Sequence, residues 1–134
     1  MIVVDTNIRF YLFAESDKSG LAERVLEKDR EWLGPSLWRS EFRNALVKSI
    51  RNKLMDLGSA LRIMAVAEAI MPDDGYDVAS DDIIDLAAAS GCSAYDAEFV
   101  VMARDLRVPL VTTDRELLEK FPETAISPER FLAR

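Results

Sequence analysis

Four acidic residues stand at the ends of apolar segments of this chain. They are Asp5 in Ile2-Val3-Val4-Asp5-Thr6-Asn7, Glu41 in Trp38-Arg39-Ser40-Glu41-Phe42, Asp96 in Ser93-Ala94-Tyr95-Asp96-Ala97 and Asp114 in Leu110-Val111-Thr112-Thr113-Asp114. Each falls where a strand or turn hands over to a helix. Carboxylates gathered from such distant points repel one another, so the cluster calls for a cation or shared protons. An all-oxygen donor set, in a chain with no histidine and one cysteine, selects Mg²⁺ or Mn²⁺ rather than zinc. Such a site suits phosphodiester cleavage, with the metal stabilising charge on the phosphate oxygens and activating water. Without histidine, general-base work falls to the carboxylates and the metal's own water.

Each acid has a plainer explanation. Asp5-Thr6-Asn7 supplies helix caps, and Ser93-x-x-Asp96 matches a capping box. Thr113-x-x-Glu116 matches a second box with Asp114 inside it, where a carboxylate also complements the helix dipole. Glu41 resists this treatment: it sits a turn into a helix beside Trp38, Phe42 and Ala45, towards the side expected to face the core. An uncompensated charge there costs on the order of 3–5 kcal/mol, so it needs a metal or an ion pair with Arg39 or Lys48. Asp81, Asp82 and Asp85 lie in the first turns of a helix, and Asp73 and Asp74 in a turn, with no chemistry required of them. From Arg39 to Lys53, five basic residues (Arg39, Arg43, Lys48, Arg51, Lys53) face a single acid, Glu41. Such a strip contacts phosphates or forms a solvated helix face, and both readings stay open.

These residues meet only if the chain forms a parallel α/β sheet. Met1 to Val4 reads as a buried strand, followed by helices over Thr6–Phe13 and Ser19–Arg30. Glu31–Ser36 is expected as the second strand, with Gly34 and Pro35 blurring its bounds. Leu37–Asn52 and Asp56–Ile70 carry helical apolar patterns. Pro72-Asp73-Asp74-Gly75 is a turn, and Tyr76–Ala79 a weak strand. Ser80 is expected to cap a helix to Ser90 that Gly91 ends. A helix over Ala94–Leu106, a strand over Pro109–Thr112, a short helix over Asp114–Phe121 and an edge strand at Thr124–Ile126 follow. Ser127-Pro128 opens a terminal helix. This alternation implies a central parallel sheet of four or five strands with helices on both faces. Ligands of such sheets bind beyond the carboxyl ends of the strands, where Asp5 and Asp114 fall.

The composition fits one compact domain over residues 1–134, with 49% hydrophobic and 31% charged residues. No apolar run reaches the roughly 20 residues of a membrane span. The opening residues lack a secretory pattern, and Cys92 is alone, which fits a reducing cytoplasm. A net charge of −7 weighs only superficially against a nucleic-acid partner, given the basic strip and the acids a metal would neutralise.

Val-Val-Asp-Thr-Asn after the first strand, Ser-Glu on a central helix, Tyr-Asp-Ala opening a late helix and Leu-Val-Thr-Thr-Asp near the end together resemble a PIN domain. The size and Ser93-Ala94-Tyr95-Asp96-Ala97-Glu98-Phe99 resemble VapC toxins, the ribonucleases of type II toxin–antitoxin pairs. The resemblance runs from Met1 to about Ala125. It implies that Asp5 and Asp96 hold a Mg²⁺ or Mn²⁺ ion most directly, Glu41 and Asp114 complete the pocket, and Asn7 and Thr112 support it. Glu98 and Glu116 lie close by but are not assigned. It further implies an RNA substrate, contacted by Arg39, Arg43, Lys48 and Arg51, and a cognate antitoxin whose arginine would enter the pocket. A homodimer through the Leu21–Leu26 and Leu57–Met64 segments is expected. Two rivals are a catalytically silent PIN-like module that binds RNA or protein, and a phosphoacceptor receiver domain. The receiver needs an acid pair at the first strand and a late lysine before proline; Asp5 stands alone and no lysine follows Lys120.

Overall fold

The computed structural model describes residues 1–71 and 76–134. Strand β1 (Ile2–Val4) is buried along its whole length, as three β-branched residues flanked by sheet on both sides require. Parallel neighbours β2 (Trp32–Leu33) and β3 (Leu110–Val111) enclose it, and β4 (Ala125–Ile126) extends the sheet in the order β2-β1-β3-β4. The register pairs Val4 with Val111 and Val111 with Ile126. Asp5 and Thr112 thus leave adjacent strands at the same carboxyl edge, where the Asp5 amide still bonds Val111 O at 3.1 Å.

Among the described residues eight helices flank this sheet. Helices α1 (Thr6–Phe13) and α2 (Ser19–Lys28) follow β1; α3 (Trp38–Arg51) and α4 (Leu57–Ile70) follow β2. Helices α5 (Ser80–Ser90), α6 (Ala94–Leu106), α7 (Arg115–Lys120) and α8 (Pro128–Leu132) complete the chain. Helix α6 packs behind β1 and β3 with Ala97, Val100, Met102 and Ala103 sealed from solvent. Helix α3 meets α1 through edge-on contacts of Phe42 with Phe10 and Phe13, ring centres 5.6 and 6.1 Å apart, and Trp38 of the same helix packs edge-on against Phe42 at 5.8 Å.

The α/β architecture and every expected helix are present, and the differences are local. Strand β2 is shorter than Glu31–Ser36 because Gly34 and Pro35 break it, Pro35 O instead accepting the Trp38 amide at 3.0 Å. Tyr76–Ala79 is not a strand: no sheet edge receives it, and it is held by buried Val78 and by Tyr76 Oη donating to Asp105 at 2.8 Å. Ala79, not Ser80, is the N-cap residue of α5, without a side-chain cap bond. Helix α2 stops at Lys28, since Asp29 is extended and pairs with the chain's amino group. The turn expected at Pro72-Asp73-Asp74-Gly75 lies outside the described residues.

Candidate active site

Asp5, Glu41, Asp96 and Asp114 line one pocket of about 280 Å³ at the carboxyl edge of the sheet, with Thr6, Asn7, Asn44 and Lys48. Each acid comes from a different place in the fold: the β1–α1 junction, the first turn of α3, the first turn of α6 and the start of α7.

Local bonds decide between the capping and the pocket roles. Asp5 occupies the N-cap position of α1 yet makes no side-chain cap bond. Its Oδ2 instead accepts from the Thr112 hydroxyl at 2.6 Å, across the strand pair. The same Thr112 Oγ1 accepts the Asp114 amide at 3.0 Å, so one fully buried hydroxyl ties two of the acids together. Asp114, rather than Thr113, caps α7, its Oδ1 accepting from Leu117 N at 3.2 Å. Ser93 caps α6 through the Asp96 amide at 3.0 Å, which sets Asp96 in the first turn. Glu41 Oε1 accepts from the buried Thr6 hydroxyl at 2.8 Å, not from a neighbouring cation.

Electrostatics bind the acids into one system. Burial pushes the Asp5 carboxyl above the usual carboxylate range, and Asp114 adds to the shift while the Thr112 hydroxyl and first-turn amides oppose it. Glu41 is raised by burial, and further by Asp5, Asp96 and Glu98, against the Thr6 bond. Asp96 is raised by burial, then by Asp114 and Asp5. As placed, the acids line the pocket without converging on a single point: among the described residues no three acidic or thiol groups form a ligating cluster. The chemistry of the donors nevertheless fits a hard divalent cation, because all are oxygens and burial and mutual repulsion penalise their charge.

Asn7 is exposed at the pocket wall, and Thr112 stands behind Asp5. Glu98 is half-buried beside the cluster and is raised by burial and Asp77. Glu116 turns outward, accepting from Lys120 Nζ at 2.6 Å along α7. The basic strip is divided by the helix. Lys48 reaches the acid pocket, Arg43 lines an apolar groove between α3 and α4, and Arg39 lies 5.7 Å from the Trp38 ring centre. Arg51 is exposed in the last turn. Asn44 was not anticipated, nor was Lys48 as a pocket residue. Their spacing of three and seven from Glu41 on one helix was the available signal.

A family model described as "PIN domain" matches residues 2–123. The chain is 27% identical to "Ribonuclease VapC3" of Pyrobaculum aerophilum, over 90% of this chain and 95% of that protein. Its fold superposes on the crystal structure of PAE2754 from Pyrobaculum aerophilum with a TM-score of 0.78 and 26% identity, covering 99% of this chain and 94% of that one.

Proposed function

The chain belongs to the PIN domain family, and from that premise we propose that it is a divalent-metal-dependent endoribonuclease, the toxin of a type II toxin–antitoxin pair. The observation that carries this reading is the meeting of four carboxylates from four separate elements in one pocket. The likeness to a protein named a ribonuclease supports the substrate class. In this reading residues 1–134 act as one nuclease domain.

Asp5, Asp96, Glu41 and Asp114 would hold Mg²⁺ or Mn²⁺, which when bound supplies Lewis acidity toward phosphate oxygens and a lowered pKa to water. The chain's own groups do the rest. Thr112 holds Asp5, and through the Asp114 amide holds the next acid in register with it. Thr6 occupies Glu41 Oε1, leaving Oε2 to accept a proton in a chain that has no histidine for the task. Lys48 is the basic residue lining the pocket, and its ammonium would draw the RNA phosphate toward the acids. Arg43, Arg39 and Arg51 leave the helix in other directions and would contact RNA only outside the pocket. An antitoxin arginine would fill the same pocket, its planar fork bonding two carboxylates at once. A homodimer forms through the exposed apolar face of α4, where Leu57 and Leu61 are uncovered. The Leu21–Leu26 segment of α2, which contacts α1 and α8 and leaves Leu21 and Leu26 only half-buried, is the second face proposed for the dimer.

The test is cleavage of single-stranded and hairpin RNA by purified protein in Mg²⁺ or Mn²⁺, and after EDTA. Cleavage is expected only with metal, and Asp5→Asn and Asp96→Asn are each expected to abolish it while remaining folded. Cleavage that survives thorough chelation would refute the reading.

A further inference from the structure

A second recess of about 260 Å³ adjoins the acid pocket and shares Glu41 and Asn44 with it; its other walls are Leu37, Ser40 and Tyr95. Leu37, Ser40, Glu41 and Asn44 are spaced three, four and seven apart, so one face of α3 and its N-cap forms the floor. Tyr95 supplies the opposite side from the first turn of α6, next to Asp96 in sequence. Its side chain is left out of the core, at 65% exposure, and makes no hydrogen bond among the described residues. An aromatic ring standing free beside a phosphate-processing pocket invites a planar partner. A scissile phosphate drawn into the acid pocket would bring its flanking nucleotide beside this recess, because the two share Glu41 and Asn44 as a common wall.

We propose that this recess is a nucleobase subsite, in which the base next to the scissile phosphate stacks on the Tyr95 ring over Leu37 while Ser40 and Asn44 bond its edge. The proposal rests on the ribonuclease reading and adds to it a feature that selects and orients the substrate. Stacking suits the site because every base offers a π face, and the Asn44 amide presents a donor and an acceptor together. Tyr95 acts here as a binding residue; it does not take part in bond cleavage.

The experiment uses single-stranded RNA octamers of alternating adenylate and uridylate. Their affinity is measured by fluorescence anisotropy in the cleavage-silent Asp5→Asn protein, and their cleavage kinetics in the otherwise wild-type protein. Tyr95→Ala should raise Kd and KM roughly 5- to 100-fold, the usual cost of losing one stacked base, with kcat nearly unchanged. Tyr95→Phe and Tyr95→Trp should stay close to wild type, since the ring face is kept. Removing the base at one position of the octamer should erase the difference between wild type and Tyr95→Ala. Equal Kd and KM for those two proteins, with cleavage intact, would overturn the subsite and leave the ribonuclease reading standing. So would a loss in Tyr95→Phe as large as in Tyr95→Ala, because the hydroxyl and not the ring would then be responsible. A wild-type protein that neither binds nor cuts any RNA would overturn both.

Discussion

Thr112 contacts two pocket acids through a single oxygen: it donates to Asp5 and accepts from the Asp114 amide. Replacing it with valine keeps the shape and removes both bonds inside a fully buried position. Thr112→Val should lower unfolding free energy by about 1–3 kcal/mol in denaturant titrations. Activity should fall roughly 10- to 100-fold, as is usual when a group that orients a ligand is lost. The acids themselves predict a pH dependence. Asp5, Glu41 and Asp96 all have raised folded-state values, so the folded protein holds more protons than the unfolded chain across that window. Their contribution to stability is therefore fully present below about pH 4 and lost as pH rises through the raised values. Asp56 and Glu123 are shifted the opposite way, but they are exposed and solvent damps their effect. In EDTA, Tm should fall from mildly acidic to neutral pH; Mg²⁺ should reverse the fall, and the Asp5→Asn/Asp96→Asn double variant should make it shallower, leaving the share due to burial of Glu41. A slope identical in the double variant would show that Asp5 and Asp96 are not its source.

At the scale of the element, Asp114 both caps α7 and lines the pocket, and the two duties can be separated. Asp114→Asn keeps an oxygen for the Leu117 amide and should retain stability while losing activity. Asp114→Ala should lose both, with about 1 kcal/mol of stability read by chemical denaturation. Some capping signals were legible in the sequence: Ser93, Ser127 and Gly91 mark real helix ends, whereas Ser80 and Thr113 lie one residue off the caps of α5 and α7, and Asp56, expected inside the helix, is the cap of α4. Gly91 closes α5 at φ +76°, a conformation other residues resist. Strands of two or three residues carry too little pattern to be bounded, and so β2 was drawn too long and Tyr76–Ala79 was mistaken for a strand. What the sequence hid was helix phase. Five basic residues close in number looked like a strip, yet the turn of α3 sends Lys48 to the acids and Arg43 to the apolar groove. The four acids, by contrast, could be named individually: Asp5, Asp96 and Asp114 are anchored to a strand end or a cap, and Glu41 stands out as a charge on the side of a helix expected to face the core. Asn44 could have been found only through its spacing of three from Glu41 on α3.

For the whole molecule, the α3–α4 groove is the apolar surface that the fold leaves open beside Leu57 and Leu61, which are 61% and 63% exposed. Leu61→Glu should convert the proposed dimer to a monomer in light scattering, with little change in Tm because the side chain is already outside the core. An unchanged mass would place the dimer contact elsewhere, or show that wild type is monomeric. The sheet order β2-β1-β3-β4 puts the first strand made at the centre and the last two strands beyond it. Asp5 waits 107 residues for the hydroxyl that positions it. During synthesis the amino-terminal part of the chain emerges with one edge of β1 unpaired and the acid pocket missing its far wall. A ribosome carrying a copy that has not yet reached β3 therefore displays no assembled acid pocket, and a chain released before β3 never acquires one. If the ribonuclease reading holds, a copy cut short before β3 would lack Thr112 and Asp114 and would be inert, so the order of synthesis would delay the onset of cleavage until the distal strands are made.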